Sequence, residues 1–141
     1  MSRRNRVLVV EDDESLREAI AEVVADDGHE VRTATDGHHG LVESERWNPD
    51  LIILDVIMPR MDAYEFRRRQ RSSTDPHRAA LLVMSAAADL ATAAGDLHAD
   101  GWLAKPFTVD ALTAMVAELL RRRRDAPEPG HANGAVDRSA P

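Results

Sequence analysis

The sequence predicts a doubly wound α/β domain built from five alternating strand and helix units. Two observations carry that expectation. Short, continuously apolar runs end abruptly in polar residues, and segments of helical spacing separate them. Strands alternating with helices of this length form a parallel sheet, and right-handed crossovers put helices on both of its faces.

The strands come first. Val7 to Val10, Leu51 to Leu54 and Ala80 to Met84 are apolar throughout rather than alternating, as strands covered on both faces are. Glu30 to Ala34 and Gly101 to Ala104 are weaker runs that complete the set.

The helices follow in order. Ser15 to Asp27 lines up Leu16, Ile20, Val23 and Val24, with Gly28 as its stop. Gly37 to Trp47 is the second helix. Asp62 to Arg71 is the third, carrying Tyr64 and Phe66 among charges. Ala88 to His98 is alanine-rich and predicts a weakly packed fourth. Thr108 to Arg124 is the clearest: Thr108 caps it, and Leu112, Met115, Val116, Leu119 and Leu120 form its stripe. Its last turn, Arg121 to Arg124, complements the helix dipole and reads as a helix end rather than a nucleic-acid patch. Trp47, Tyr64 and Phe66 are expected to be packing residues, and the histidines, His38 and His39 among them, surface residues. Residues 125–141 lack periodicity and are expected to be a disordered tail, leaving 1–124 as one domain.

Composition narrows the function. The net charge of −7 argues against general nucleic-acid binding. There is no cysteine, so thiolate metal sites and disulfides are excluded. No apolar run approaches the roughly 20 residues of a membrane helix. The basic start is followed only by Val7 to Val10 before acids appear, too short for a signal-peptide core, so a cytoplasmic protein is expected. Of 18 basic residues, Lys105 is the single lysine. A compact ammonium among planar guanidinium forks suggests a site that wants a point charge.

In open α/β sheets the ligand site lies beyond the carboxyl ends of the strands. There stand Glu11, Asp12, Asp13 and Glu14 after the first run, Asp55 after the third, Ser85 after the fourth and Lys105 after the fifth. Carboxylates crowd together when a cation sits between them, and all-oxygen ligation favours a hard ion such as magnesium. A hydroxyl and an ammonium suit phosphoryl oxygens, and a carboxylate can itself be the nucleophile, giving an acyl phosphate.

The segments Val-Val-Glu-Asp-Asp-Glu, Leu-Asp-Val-Ile-Met-Pro-Arg-Met-Asp, Met-Ser-Ala and Leu-Ala-Lys-Pro-Phe, in that order, resemble the signature of response-regulator receiver domains over residues 5–122. The resemblance implies a flavodoxin-like, three-layer (βα)5 sandwich with strand order 2-1-3-4-5, here as a stand-alone receiver.

It also implies roles for particular residues. Asp55 accepts the phosphoryl group. Asp12 ligates magnesium (or manganese) with Asp55 and the backbone carbonyl of Ile57, and Glu11 contributes largely through water. Lys105 and the Ser85 hydroxyl contact the phosphoryl group. Trp102 takes the aromatic switch position, and the bond before Pro106 is cis. A sensor histidine kinase or histidine phosphotransfer protein is the implied donor. A downstream protein would dock on the face of the fourth helix, fifth strand and fifth helix, and phosphorylation could also drive homodimerisation. Neither nucleic acid nor membrane is an expected partner.

Some positions depart from the family pattern. Trp102 is bulkier than the usual Tyr or Phe, and Ala63 replaces a frequent Gly; at positive φ, alanine would strain the loop by about 1 kcal/mol. Ile57 and Ala87 are apolar and cannot orient an attacking water, which predicts slow self-dephosphorylation. Two other functions compete. A magnesium-dependent aspartyl phosphohydrolase would want an acid two residues past its nucleophile, where Ile57 stands, so no enzymatic turnover is expected. A receiver-like module working without phosphorylation would not need the full acid, Asp, Ser and Lys set. A nucleotide or flavin module would want a glycine-rich loop after Val10, where acids stand instead.

Overall fold

A computed structural model describes residues 4–58, 61–71, 79–86 and 88–125; the expected tail beyond Asp125, and Ala87, lie outside the described residues. The elements run β1 (Arg6–Val10), α1 (Glu14–Asp26), β2 (Glu30–Ala34), α2 (Gly37–Trp47), β3 (Leu51–Asp55), α3 (Ala63–Arg71), β4 (Ala80–Ser85), α4 (Leu90–Asp96), β5 (Gly101–Ala104) and α5 (Val109–Asp125). The strands are all parallel in the order β2-β1-β3-β4-β5, as expected. The chain leaves β1 in one direction to form β2 and returns on its other side to form β3. The crevice at that reversal opens at the strands' carboxyl ends.

Alternation along each strand divides the core in two. Val7, Val9, Leu51, Ile53, Leu82 and Met84 pack with Ile20 and Val24 of α1 and with Leu112, Val116, Leu119 and Leu120 of α5. Leu8, Val10, Ile52, Leu54, Leu81 and Val83 face Trp47, Phe66, Leu90 and Leu97 on the α2, α3 and α4 side. Both faces of the central strands are therefore dry, which is why their sequences read as unbroken apolar runs. Each such buried side chain contributes about 1.5–3 kcal/mol.

Helix ends follow the polar residues that punctuate the sequence. Asp13, Asp36, Asp62 and Thr108 accept backbone N–H bonds from Leu16, His39, Glu65 and Ala111, capping α1, α2, α3 and α5. Gly28, at φ +95°, ends α1 where a side chain would be strained. Gly40 lets α2 sit against β1: a Cβ there would lie 2.9 Å from Val10 Cγ2. At the amino ends of the strands, buried Asp50 accepts from the Arg6 N–H at 2.8 Å and pairs with Arg123 at 3.2 Å, fastening α5 to β1 and β3. The arginine-rich end of α5 is thus partly occupied within the fold, since Arg121 and Arg122 also bond Glu118.

Several expectations change. The fourth helix is shorter than Ala88–His98 but not weakly packed: Leu90, Ala93, Ala94 and Leu97 are buried in the core cluster with Leu81 and Val83 of β4. Tyr64 points to solvent, since the α3 turn that buries Phe66 faces it away from the core. Ala63 opens α3 as a buried residue. The non-glycine residues at positive φ among those described are Asn48 and His98, so Ala63 carries no such strain. The last helix extends one residue past Arg124, with Asp125 paired to Arg121. No described helix is long and apolar enough to cross a membrane.

Candidate functional site

The ladder between strands continues past their ends and carries the site residues with it. Glu11 N–H donates to Ala34 O, Val56 N–H to Met84 O, and Lys105 N–H to Ser85 O. Side chains from sequence positions far apart are therefore held at one sheet edge.

Glu11, Asp12 and Asp55 each bring a carboxylate oxygen within 4.8 Å of the others. Glu11 is 1% exposed and Asp55 6%, whereas Asp12 lies open to solvent. The Lys105 ammonium reaches into the group, 2.9 Å from Asp55 Oδ2 and 3.1 Å from Glu11 Oε1. The second Asp55 oxygen, Oδ1, accepts from the Ile57 N–H at 3.1 Å. The second Glu11 oxygen, Oε2, accepts from the Asp13 N–H at 3.2 Å. Both buried carboxylates are thus fixed at two points.

Electrostatics follow from burial. Desolvation, above all, pushes the Glu11 carboxyl up to about 7, and the Asp55 charge adds to it; the Asp13 N–H and Lys105 work the other way. Burial pulls the Lys105 pKa down, but its bonds to Asp55 and Glu11 outweigh this, and the net shift is upward. An anionic pocket with one ammonium among three acids retains an excess of negative charge that a divalent cation would offset. The donors are all oxygen, and one is solvent-exposed, which suits an ion that keeps several waters. The residues fit magnesium or manganese.

The remaining candidates surround this group. Asp13 is drawn away from it as the α1 cap, and Glu14 belongs to the first turn of α1. Buried Ser85 is the last residue of β4, one step beyond the Asp55–Met84 pairing. Ile57 is 66% exposed at the rim. The Lys105–Pro106 peptide is cis. Trp102 stands apart from the cluster and is 48% exposed. Its neighbours Gly101 and Leu103 face α5, so the indole lies on the α4 side of the sheet, opposite Val83 and diagonal to Ser85.

The sequence reading passed over Arg17, whose Nη1 donates to the Glu11 carbonyl at 3.0 Å and steadies the acidic loop. Its signal was position: one turn into α1, it is the first cation after four acids.

Comparison with known proteins agrees with this fold. The response regulator receiver domain profile matches residues 7–117, and the chain belongs to that family. Among individual relatives, it is 37% identical over 125 residues to response regulator MprA of Mycobacterium leprae, covering 87% of this chain and 55% of that protein. It is 38% identical over 127 residues to MprA of Mycobacterium bovis, covering 87% and 54%. The chain therefore spans about half the length of the curated relatives it matches. A response regulator from Chloroflexus aurantiacus superposes with a TM-score of 0.78 at 30% identity, over 85% of this chain and all of that one (100%). The Vibrio cholerae chemotaxis protein CheY4 superposes at 0.76 and 29% identity, over 83% and 99%.

Proposed function

We propose that this receiver domain takes a phosphoryl group onto Asp55 from a sensor histidine kinase or a histidine phosphotransfer protein. One observation carries the reading: the Asp55 carboxylate is oriented at both oxygens, by Lys105 and the Ile57 N–H, beside two further acids. An Asp55 oxygen attacks phosphorus as the bond to the donor imidazole breaks; the imidazole nitrogen leaves with the electron pair and takes a proton from solvent. Lys105 Nζ then pairs with a phosphoryl oxygen instead of the bare carboxylate, and the Ser85 hydroxyl donates to another. Glu11, Asp12, Asp55 and the Ile57 carbonyl would hold a magnesium or manganese ion, which supplies charge neutralisation for the transferring group.

The signal leaves through the face of α4, β5 and α5, for a downstream protein or a second copy of the chain. Exposed Trp102 and Val109 on that face support this. Turnover as a phosphohydrolase is disfavoured, because Ile57 offers no proton-transferring group where such enzymes want an acid.

Intact mass after incubation with acetyl phosphate and magnesium, run beside Asp55→Asn, tests the reading. One added phosphoryl group on the parent and none on the variant is the expected result. Addition to both would move the chemistry off Asp55. No addition, together with no spectral response to beryllium fluoride, would favour a module that works without phosphorylation.

A further inference from the structure

The sheet has an edge at each side. One is β5, which belongs to the face of α4, β5 and α5; the other is β2, Glu30–Ala34. In a parallel pair, alternate residues bond to the neighbouring strand and those between them face away. Glu30 N–H donates to Asn5 O at 2.9 Å, and Ala34 O accepts from Glu11 N–H at 3.1 Å. With the register of β1 and β2, this turns Glu30, Arg32 and Ala34 toward β1. The backbone N–H and C=O of Val31 and Thr33 therefore point outward, and they have no partner among the described residues. Thr35 N–H, next in the alternation, is taken by His39 Nδ1 at 3.2 Å, which closes the edge at that end.

A shallow groove of about 630 Å³ runs along this edge. Val31, Arg32 and Thr33 form its floor, with Ala21 and Ala25 of α1 on one side, Glu43 of α2 on the other and exposed Glu22 at the rim. Open strand edges are commonly blunted by lysine, proline or a bulge. The β2 edge has an unbroken register and neither residue, only the charges of Glu30 and Arg32.

Those two charges select what fits. A second, antiparallel β2 can pair only in registers that set outward groups against outward groups. Centred on Arg32, the two guanidinium groups would oppose each other. Centred on Thr33, Glu30 would oppose Asp36. Both juxtapose like charges. Centred on Val31, Glu30 of each copy stands opposite Arg32 of the other. Glu30 already lies 3.8 Å from Arg6, and Arg32 lies 3.2 Å from Glu43, so the cross-pairs complete two rows of alternating sign. The two Val31 residues then exchange N–H···O bonds at the axis, and Thr33 of each copy meets His29 of the other. The two α1 helices would run antiparallel, about 8–10 Å apart, the ordinary spacing of packed helices. Ala21 and Ala25, one turn apart beside the groove, leave room for that approach.

We infer that β2 is a homodimerisation edge: two copies of this chain join their β2 strands, antiparallel and centred on Val31, into one continuous sheet. The two Asp55 sites then open at opposite ends, and both faces of α4, β5 and α5 stay free. The association is independent of phosphoryl transfer.

Sedimentation equilibrium of the full chain, without phosphoryl donor or metal, tests this. The parent should form a concentration-dependent species of twice the 15.6 kDa chain mass. Glu30→Arg and Arg32→Glu each set like charges opposite one another and should each weaken self-association by about tenfold or more. An equimolar mixture of the two should regain the parental dimer, because each variant supplies the sign that the other lacks. Thr33→Pro removes an outward N–H, leaves the ladder to β1 intact and should also weaken the dimer. Circular dichroism checks the fold of each variant, and Thr33→Pro decides the matter if a charge variant does not fold. A parent that stays monomeric up to about 1 mM overturns the proposal and leaves the edge to an extended segment of another protein. So does a dimer that survives the β2 substitutions but is lost in Trp102→Ala, which would place the contact on α4, β5 and α5. A mixture that stays monomeric overturns the pairing centred on Val31.

Discussion

Lys105 stands 2.9 Å from Asp55, close enough to neutralise the carboxylate and, after transfer, to meet a phosphoryl oxygen. The same ammonium also holds Glu11. Lys105→Met should therefore leave two nearly buried carboxylates facing each other. Proton uptake by Glu11 limits the damage, and the expected loss of metal-free stability is about 1–3 kcal/mol. Phosphoryl uptake from acetyl phosphate should fall at least tenfold. Lys105→Arg should restore charge but not uptake, because the planar fork does not fit a site shaped around a point charge. Denaturant titration and intact mass read the two effects separately; uptake by Lys105→Met at the parental rate would contradict the role.

The Glu11 shift has a sign that can be tested. Its carboxyl moves from 4.5 up to about 7 in the folded, metal-free protein. The folded state therefore binds this proton more tightly than the unfolded chain. The stability it contributes is complete below about 4.5 and is lost as pH rises through about 7. Across that window the loss is on the order of 3 kcal/mol at most. Metal binding must displace the same proton, so apparent magnesium affinity should climb roughly tenfold per pH unit up to about 7 and then level off. Calorimetric titrations between pH 5.5 and 8 provide the check, and a flat profile would mean Glu11 does not gate the metal.

Ile57 sets the expected lifetime of the phosphorylated form. Its exposed, apolar side chain stands at the rim beside Asp55 and cannot orient a water for attack. We expect a half-life in buffer of minutes or longer, shortened several-fold in Ile57→Asn, followed by mass spectrometry after removal of the donor. A parental half-life of seconds would show that another group aligns the water.

Trp102 offers an optical test, once Trp47 is dealt with. Trp47 is buried, its ring 4.8 Å from the Arg32 guanidinium and 5.8 Å from that of Arg6, and its emission would overlap that of Trp102. In a Trp47→Phe background, beryllium fluoride with magnesium should shift Trp102 emission to the blue as the indole leaves water. Unchanged emission, with beryllium fluoride shown to be bound, would remove Trp102 from the switch.

The sequence by itself determined the five strand–helix units, Thr108 as the cap of the last helix, and the polar residues that would gather at the sheet edge. The physical reason is locality. A strand dry on both faces must be apolar throughout, and a helix must repeat its apolar residues every three or four positions, so both leave a pattern along the chain. Only the tertiary structure decided which acids do what. Asp13 caps a helix, Glu11 is buried and Asp12 open, although the three are adjacent in sequence. Likewise Arg67 and Arg68 are neighbours, yet one is buried against α4 and the other faces solvent. Asp13 acts locally, on the Leu16 N–H, but buried Glu11 and Arg67 meet Lys105, Leu97 and His98, some thirty to ninety positions away. Such contacts exist only once the sheet has closed, because desolvation and ion pairing depend on distance in space and leave no period in the sequence.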